Sequence, residues 1–138
     1  LGGAFTLDGK PQQDKVDWQP LSEQAIALAL AQNKRVFVDV TADWCITCKA
    51  NKFNVLLRDD VQQALSAPDV VALRGDWSRP SDSIASFLRQ RGSVAIPFNQ
   101  IYGPGLTDGE ILSPLLDRST LLATLAQAGI APSQGENK

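Results

Sequence analysis

The apolar positions fall into short runs of two different periods. Leu21, Ala25, Leu28 and Ala29 recur at helical spacing behind Ser22, a good N-cap, and predict a helix to about Asn33. Val36-Phe37-Val38-Asp39-Val40 is a β-branched and aromatic run of the kind found in strands covered on both faces, with Asp39 as its one polar interruption. The pattern turns helical from about Cys45 to Leu57, and Asp59-Asp60 open a further short helix through Leu65. Val70-Val71-Ala72-Leu73 predicts a second buried strand. Ile84, Ala85 and Leu88 predict a helix over 81–91, stopped by Gly92. A strand is expected over 96–102, a turn at Gly103-Pro104-Gly105, and a closing hairpin strand at Glu110-Ile111-Leu112. A last helix runs from Asp117 to Ala128, with Leu121, Leu122 and Leu125 inward and Gly129 as its stop. The order α-β-α-β-α-β-β-α makes an α/β sandwich, a central sheet with helices on both faces.

The flanks read differently. Residues 1–20 carry Gly2-Gly3, Asp8-Gly9, Pro11 and Pro20 with little periodicity, so an extended lead-in or linker is expected there. The body is expected over 21–130, and the polar stretch 131–138 as a disordered tail. The chain opens on Leu1 and contains no Met, which suits a processed product or an excised domain.

At 138 residues there is room for one domain with a proper core. A net charge of -2 supplies no basic stripe, so nucleic acid is not an expected partner. No apolar run approaches the ~20 residues of a membrane span. The absence of histidine removes every triad built on a histidine base, and two cysteines alone cannot complete a structural zinc site. No metal and no cofactor is expected.

The chemistry therefore concentrates on Cys45-Ile46-Thr47-Cys48, placed where the first buried strand gives way to a helix. Unpaired N–H groups and the macrodipole at a helix start favour negative charge, and such sites bring a thiol pKa from ~8.5 into a range of roughly 3.5–7.5. Cys45 is then the exposed, ionisable nucleophile. Cys48, three residues on, can resolve a mixed disulfide formed at Cys45. The same two thiolates could instead hold Cu(I), which makes a metallochaperone module the alternative. Asp39, an acid inside a buried strand, should have a raised pKa that suits it to take the Cys48 proton, or it is simply satisfied by hydrogen bonds.

The segment Val38-Asp39-Val40-Thr41-Ala42-Asp43-Trp44-Cys45-Ile46-Thr47-Cys48-Lys49 resembles the active-site segment of the thioredoxin superfamily. Ala-Asp-Trp-Cys-x-x-Cys-Lys resembles more narrowly the C-terminal periplasmic domain of DsbD-type membrane thiol:disulfide interchange proteins. Asp76-Trp77 and Ile96-Pro97-Phe98-Asn99 through Tyr102-Gly103-Pro104-Gly105 look most like the ScsB branch, linked to copper tolerance. The resemblance implies a thioredoxin-like fold with a mixed sheet, and catalytic roles for Cys45, Cys48 and Asp39. It also implies a cis Ile96–Pro97 bond that turns the Ile96 backbone toward the cysteines, with Trp44, Ile96 and Pro97 lining a substrate groove. The activity implied is protein disulfide reduction in the periplasm, within an inner-membrane protein. Electrons would come from a transmembrane domain of the same polypeptide. They would pass to a sister domain or to disulfide-bearing periplasmic proteins. One position departs from the DsbD pattern: Lys52 stands where a carboxylate is usual, and a cation there favours thiolate. Lys49 and Lys52 read equally well as solvated helix positions, and Asp76 and Trp77 as either packing or partner contacts.

Overall fold

The computed structural model describes residues 14–130, so residues 1–13 of the expected lead-in and the expected tail over 131–138 lie outside the described residues. Strands β1 (Gln19–Pro20), β2 (Arg35–Thr41), β3 (Val70–Asp76), β4 (Phe98–Gly103) and β5 (Leu106–Ile111) form one sheet. Helices α1 (Glu23–Ala31), α2 (Ile46–Asn51), α3 (Asp59–Leu65), α4 (Asp82–Gln90) and α5 (Arg118–Ala128) cover it. The strand order is β1-β3-β2-β4-β5. β1 and β2 run parallel to β3, whereas β4 runs antiparallel to β2 and β5 antiparallel to β4. The fold is thioredoxin-like, a mixed sheet between two helical layers.

Side chains of a strand alternate between faces, and β2 shows why it can sit at the centre. Val36, Val38 and Val40 enter one core cluster, with Ile26 and Ala29 of α1 and Phe87 and Leu88 of α4. Phe37 enters the other, with Val55, Leu56, Val61, Leu65, Leu121 and Leu125. Asp39 therefore shares the Phe37 face, beneath the layer that contains α2. The helix starts follow from local chemistry: Ser22, Ser81 and Asp117 each accept a backbone N–H of the first turn.

Several boundaries differ from expectation. The helix foreseen from Cys45 to Leu57 divides into α2 and a π-helical segment, Lys52–Leu56, in which Leu57 N donates to Lys52 O at 2.9 Å. The widened turn lets the consecutive residues Val55, Leu56 and Leu57 all bury, which 3.6-residue spacing does not signal. The fourth strand starts at Phe98 rather than Ile96, since Pro97 has no N–H to give to a ladder. β3 runs on to Asp76, past the expected Leu73, because Arg74 finds partners inside the sheet. The closing strand begins at Leu106 instead of Glu110. The segment read as a lead-in carries β1, and Val16 packs in the core beside Phe37.

One buried side chain fastens the helix that follows the cysteines. Asn51, 3% exposed, donates from Nδ2 to Pro114 O at 2.8 Å and accepts from Leu116 N at 3.0 Å. Asn51→Ala leaves two loop groups unpaired, and should cost about 2 kcal/mol or more of stability. Urea unfolding should show a lower midpoint at unchanged slope; an unmoved midpoint would show that the loop re-pairs with water.

Candidate active site

The topology brings three loops to one end of the sheet. β2 and β3 run parallel and β4 antiparallel to β2, so residues after Thr41, residues after Asp76 and residues before Phe98 meet there. Backbone and side-chain bonds lock the first two together. Trp77 N donates to Thr41 O at 2.7 Å, Asp43 N to Ser78 Oγ at 2.8 Å, and Trp44 Nε1 to Trp77 O at 3.1 Å. Asp76 accepts from the Ser78 hydroxyl and from Ser78 N, and these bonds hold its carboxyl below the usual carboxylate range. Asp76 is thus a latch within the loop.

Cys45 is the N-cap of α2, and its Sγ accepts the Cys48 N–H at 3.1 Å. The sulfurs of Cys45 and Cys48 are bonded as a disulfide, with Cα atoms 5.2 Å apart. A sulfur in this position meets the unpaired donors of a helix start, which favours the thiolate once the bond is reduced. The expectation of an exposed leading sulfur needs correction. Both cysteines are only 6% exposed, because Ala42, Trp77 and Ile96 pack around them. The pair nevertheless forms a small cluster of its own, apart from the two cores, and Cys45 lies between Trp44 and Ile46, the latter 81% exposed. The disulfide sits just under the surface.

Beside it lies a groove of about 490 Å³, lined by Trp44, Trp77, Arg79, Pro80, Val94 and Ile96 among others. Val94 is 84% exposed. Val94 and Trp44 thus leave apolar side chains exposed at the rim of the groove. Arg79 makes no ion pair among the described residues. Ile96 joins both the groove and the cysteine cluster, and the Ile96–Pro97 peptide bond is cis. Pro97 itself is half-buried behind Ile96.

Asp39 lies at the middle of β2 and is 4% exposed. Each oxygen has one donor from a neighbouring strand at the directly opposed position: Arg74 Nε to Oδ2 at 2.9 Å and Asn99 Nδ2 to Oδ1 at 2.9 Å. Burial pushes the Asp39 pKa up from 3.8, and outweighs the lowering by the Arg74 charge and by both hydrogen bonds. The pairing of Arg74 and Asn99 with Asp39 escaped the sequence reading. Arg74 falls just past the expected end of its strand, yet a cation and an acid within two buried runs was a usable signal. Asn99 had no such signal. Arg79 and Val94 were missed because loop approach, not periodicity, unites them. Lys49 is exposed, and Lys52 rests 5.9 Å from the Phe53 ring centroid. Among the described residues no group of three or more His, Cys, Asp or Glu could hold a metal ion, and no helix is long and apolar enough to cross a membrane.

Comparison with known proteins agrees with this geometry. The family described as thioredoxin-like matches residues 17–104. The thiol:disulfide interchange protein DsbD of Cronobacter sakazakii is 29% identical over 112 residues, covering 70% of this chain and 19% of that protein. DsbD of Yersinia enterocolitica is 32% identical over 77 residues, covering 56% of this chain and 13% of its own length. The chain thus spans less than a fifth of these relatives. Among solved structures, a thioredoxin from Thermus thermophilus superposes with a TM-score of 0.65 at 23% identity, over 88% of this chain and 94% of that one. The reduced C-terminal domain of Neisseria meningitidis DsbD gives 0.60 at 23% identity, over 77% and 92%. With its helix-capping disulfide and its mixed sheet, the chain belongs to the thioredoxin-like family.

Proposed function

We propose that this domain is a protein disulfide reductase that relays electrons through Cys45 and Cys48. The observation that carries the reading is the disulfide capping α2, the helix that follows the strand holding the desolvated Asp39. In the reduced state the Cys45 thiolate attacks one sulfur of a partner's disulfide and expels the other as a thiolate. Cys48 then loses its proton to Asp39 and attacks the Cys45 sulfur. The partner leaves as a dithiol, two electrons richer, and the domain is left in the bonded state described above. Asp39 suits that step because burial raises the proton affinity of its carboxylate, which makes it a stronger base than an exposed one.

The groove supports an extended partner segment, with apolar side chains against Trp44, Trp77 and Val94 and backbone contacts at Ile96 beside cis Pro97. By its likeness to DsbD, the domain belongs to a larger inner-membrane protein and faces the periplasm. Its donor is a transmembrane domain, and its acceptors are periplasmic disulfide proteins or a sister domain. Lys52, in place of a carboxylate, favours the ScsB branch and a link to copper tolerance.

The direction of electron flow is tested by the reduction potential of the pair. A value near roughly -270 mV supports a reductant, and one near roughly -120 mV would make the domain an oxidant. Tight stoichiometric Cu(I) uptake without disulfide reduction would replace the enzyme with a metallochaperone.

Asp39→Asn should slow the resolving step on the order of a hundredfold while sparing the first attack. Stopped-flow kinetics of mixed-disulfide formation and decay separates the two steps, and equal slowing of both would remove Asp39 from the proton path.

The same residue shapes stability. With its folded pKa raised above 3.8, native Asp39 holds a proton that the unfolded chain has already released. Stability contributed by this group is full below that value and falls as pH rises toward the folded pKa. Asp39→Asn should flatten that part of a pH series of urea unfolding curves; an unaltered slope would mean Asp39 ionises normally in the fold.

A further inference from the structure

The Arg74 guanidinium that pairs with Asp39 is itself held from behind by the segment entering β1. The Trp18 ring lies under it, 3.8 Å from ring centroid to Cζ. Trp18 Nε1 donates to Asp14 Oδ2 at 2.9 Å, and Arg74 Nη1 faces that same oxygen at 3.5 Å. The Asp14 carboxylate is fixed on its other side by Val16 N and by Gln62 Nε2, both 3.2 Å from Oδ1. Gln62 is buried, takes the Lys15 N–H at 2.6 Å and donates to Leu56 O at 2.8 Å. A continuous run of polar contacts thus joins the end of the π-helical segment to the lead-in, the lead-in to Arg74, and Arg74 to Asp39.

We propose that Trp18 and Asp14 are positioning residues that act on Asp39 through Arg74, clamping the guanidinium so that it stays aimed at Asp39 Oδ2. An arginine side chain has several freely turning bonds, and a half-buried one released at its outer face drifts toward water. A cation–π platform and a second carboxylate restrict it to one geometry. The charged and titratable groups facing Asp39 are Arg74 from β3 and Asp14 from the lead-in, with the neutral Asn99 from β4. Asp14 is a like charge and on its own pushes Asp39 up, so its use here is as an anchor for Trp18 and Arg74. Trp18 is the cleaner probe.

The consequence for the resolving step rests on the function proposed above, but the clamp is measured without it. In the oxidised 138-residue chain, where the cysteines do not titrate, carbon-13 NMR follows the Asp39 carboxyl directly. Trp18→Leu keeps apolar bulk against Phe37 but removes the platform and the indole N–H. It should raise the Asp39 midpoint by about half a unit or more, since a looser cation stabilises the carboxylate less. Trp18→Phe, which keeps the ring face, should restore most of the difference. In an Arg74→Gln background the Trp18→Leu shift should vanish, because the route runs through Arg74. An unmoved midpoint in Trp18→Leu, or a shift that persists without Arg74, overturns the proposal. Should Trp18→Leu fail to fold, Gln62→Met loosens the same strap from its far end and should move the midpoint in the same direction; no movement overturns the clamp equally. A protein with the coupling intact and no disulfide reductase activity would refute the function and leave the clamp standing.

Discussion

A carboxylate in the central strand of a sheet is the constraint around which this molecule is arranged. The position is closed to bulk solvent, and an ionised acid without partners costs several kcal/mol there or simply takes up a proton. Asp39 is given one donor per oxygen, and both come from the strands that flank it in register. That is enough to keep the site folded. It is not enough to return the acid to its ordinary affinity for protons, because burial still outweighs the two partners. A fully compensated acid would stay charged, and an uncompensated one would stay neutral. Asp39 lies between these extremes, partnered on both oxygens yet with its pKa raised.

The rest of the site follows from the mixed sheet. Parallel pairing of β2 with β3 and antiparallel pairing with β4 place three sequence-distant loops at one end. The disulfide caps α2 there, Trp44 and Trp77 are tied to each other, and Ile96 closes the cluster from the third loop. An all-parallel sheet would have sent the segment before β4 to the opposite end of the strands, away from the cysteines. The order of strand directions therefore builds the site, and the apolar groove exists because of it.

Much of this was legible in the chain. The cap at Ser22, the alternation through β2 and the strand-to-helix placement of the cysteines are local signals, and local signals survive folding. What escaped was set by pairing across distance. Arg74 falls just past the expected strand end until its register with Asp39 is known, and Asn99 is one polar residue of an expected strand until β4 is laid against β2. The π-helical turn was invisible because no residue type encodes it; it answers to the burial of Val55, Leu56 and Leu57 together. The cover over Cys45 was hidden for the same reason, since Trp77 and Ile96 arrive from other loops.

The lead-in shows how a weakly patterned segment can still matter. Residues 14–20 offer no helical period and only a two-residue strand, Gln19–Pro20. Yet Val16 enters the core, and Trp18 stacks on the cation that faces the buried acid. Edge position explains both facts. β1 pairs only with β3, so its neighbours need not alternate between two cores, and the sequence there is free to serve single contacts. A segment of this kind is held by few bonds and can loosen more easily than the central strands. Those bonds end on Arg74, so the proposed clamp would tie the segment to the charge state of Asp39, which lies on the same Phe37 face of the sheet as Val16 and Trp18.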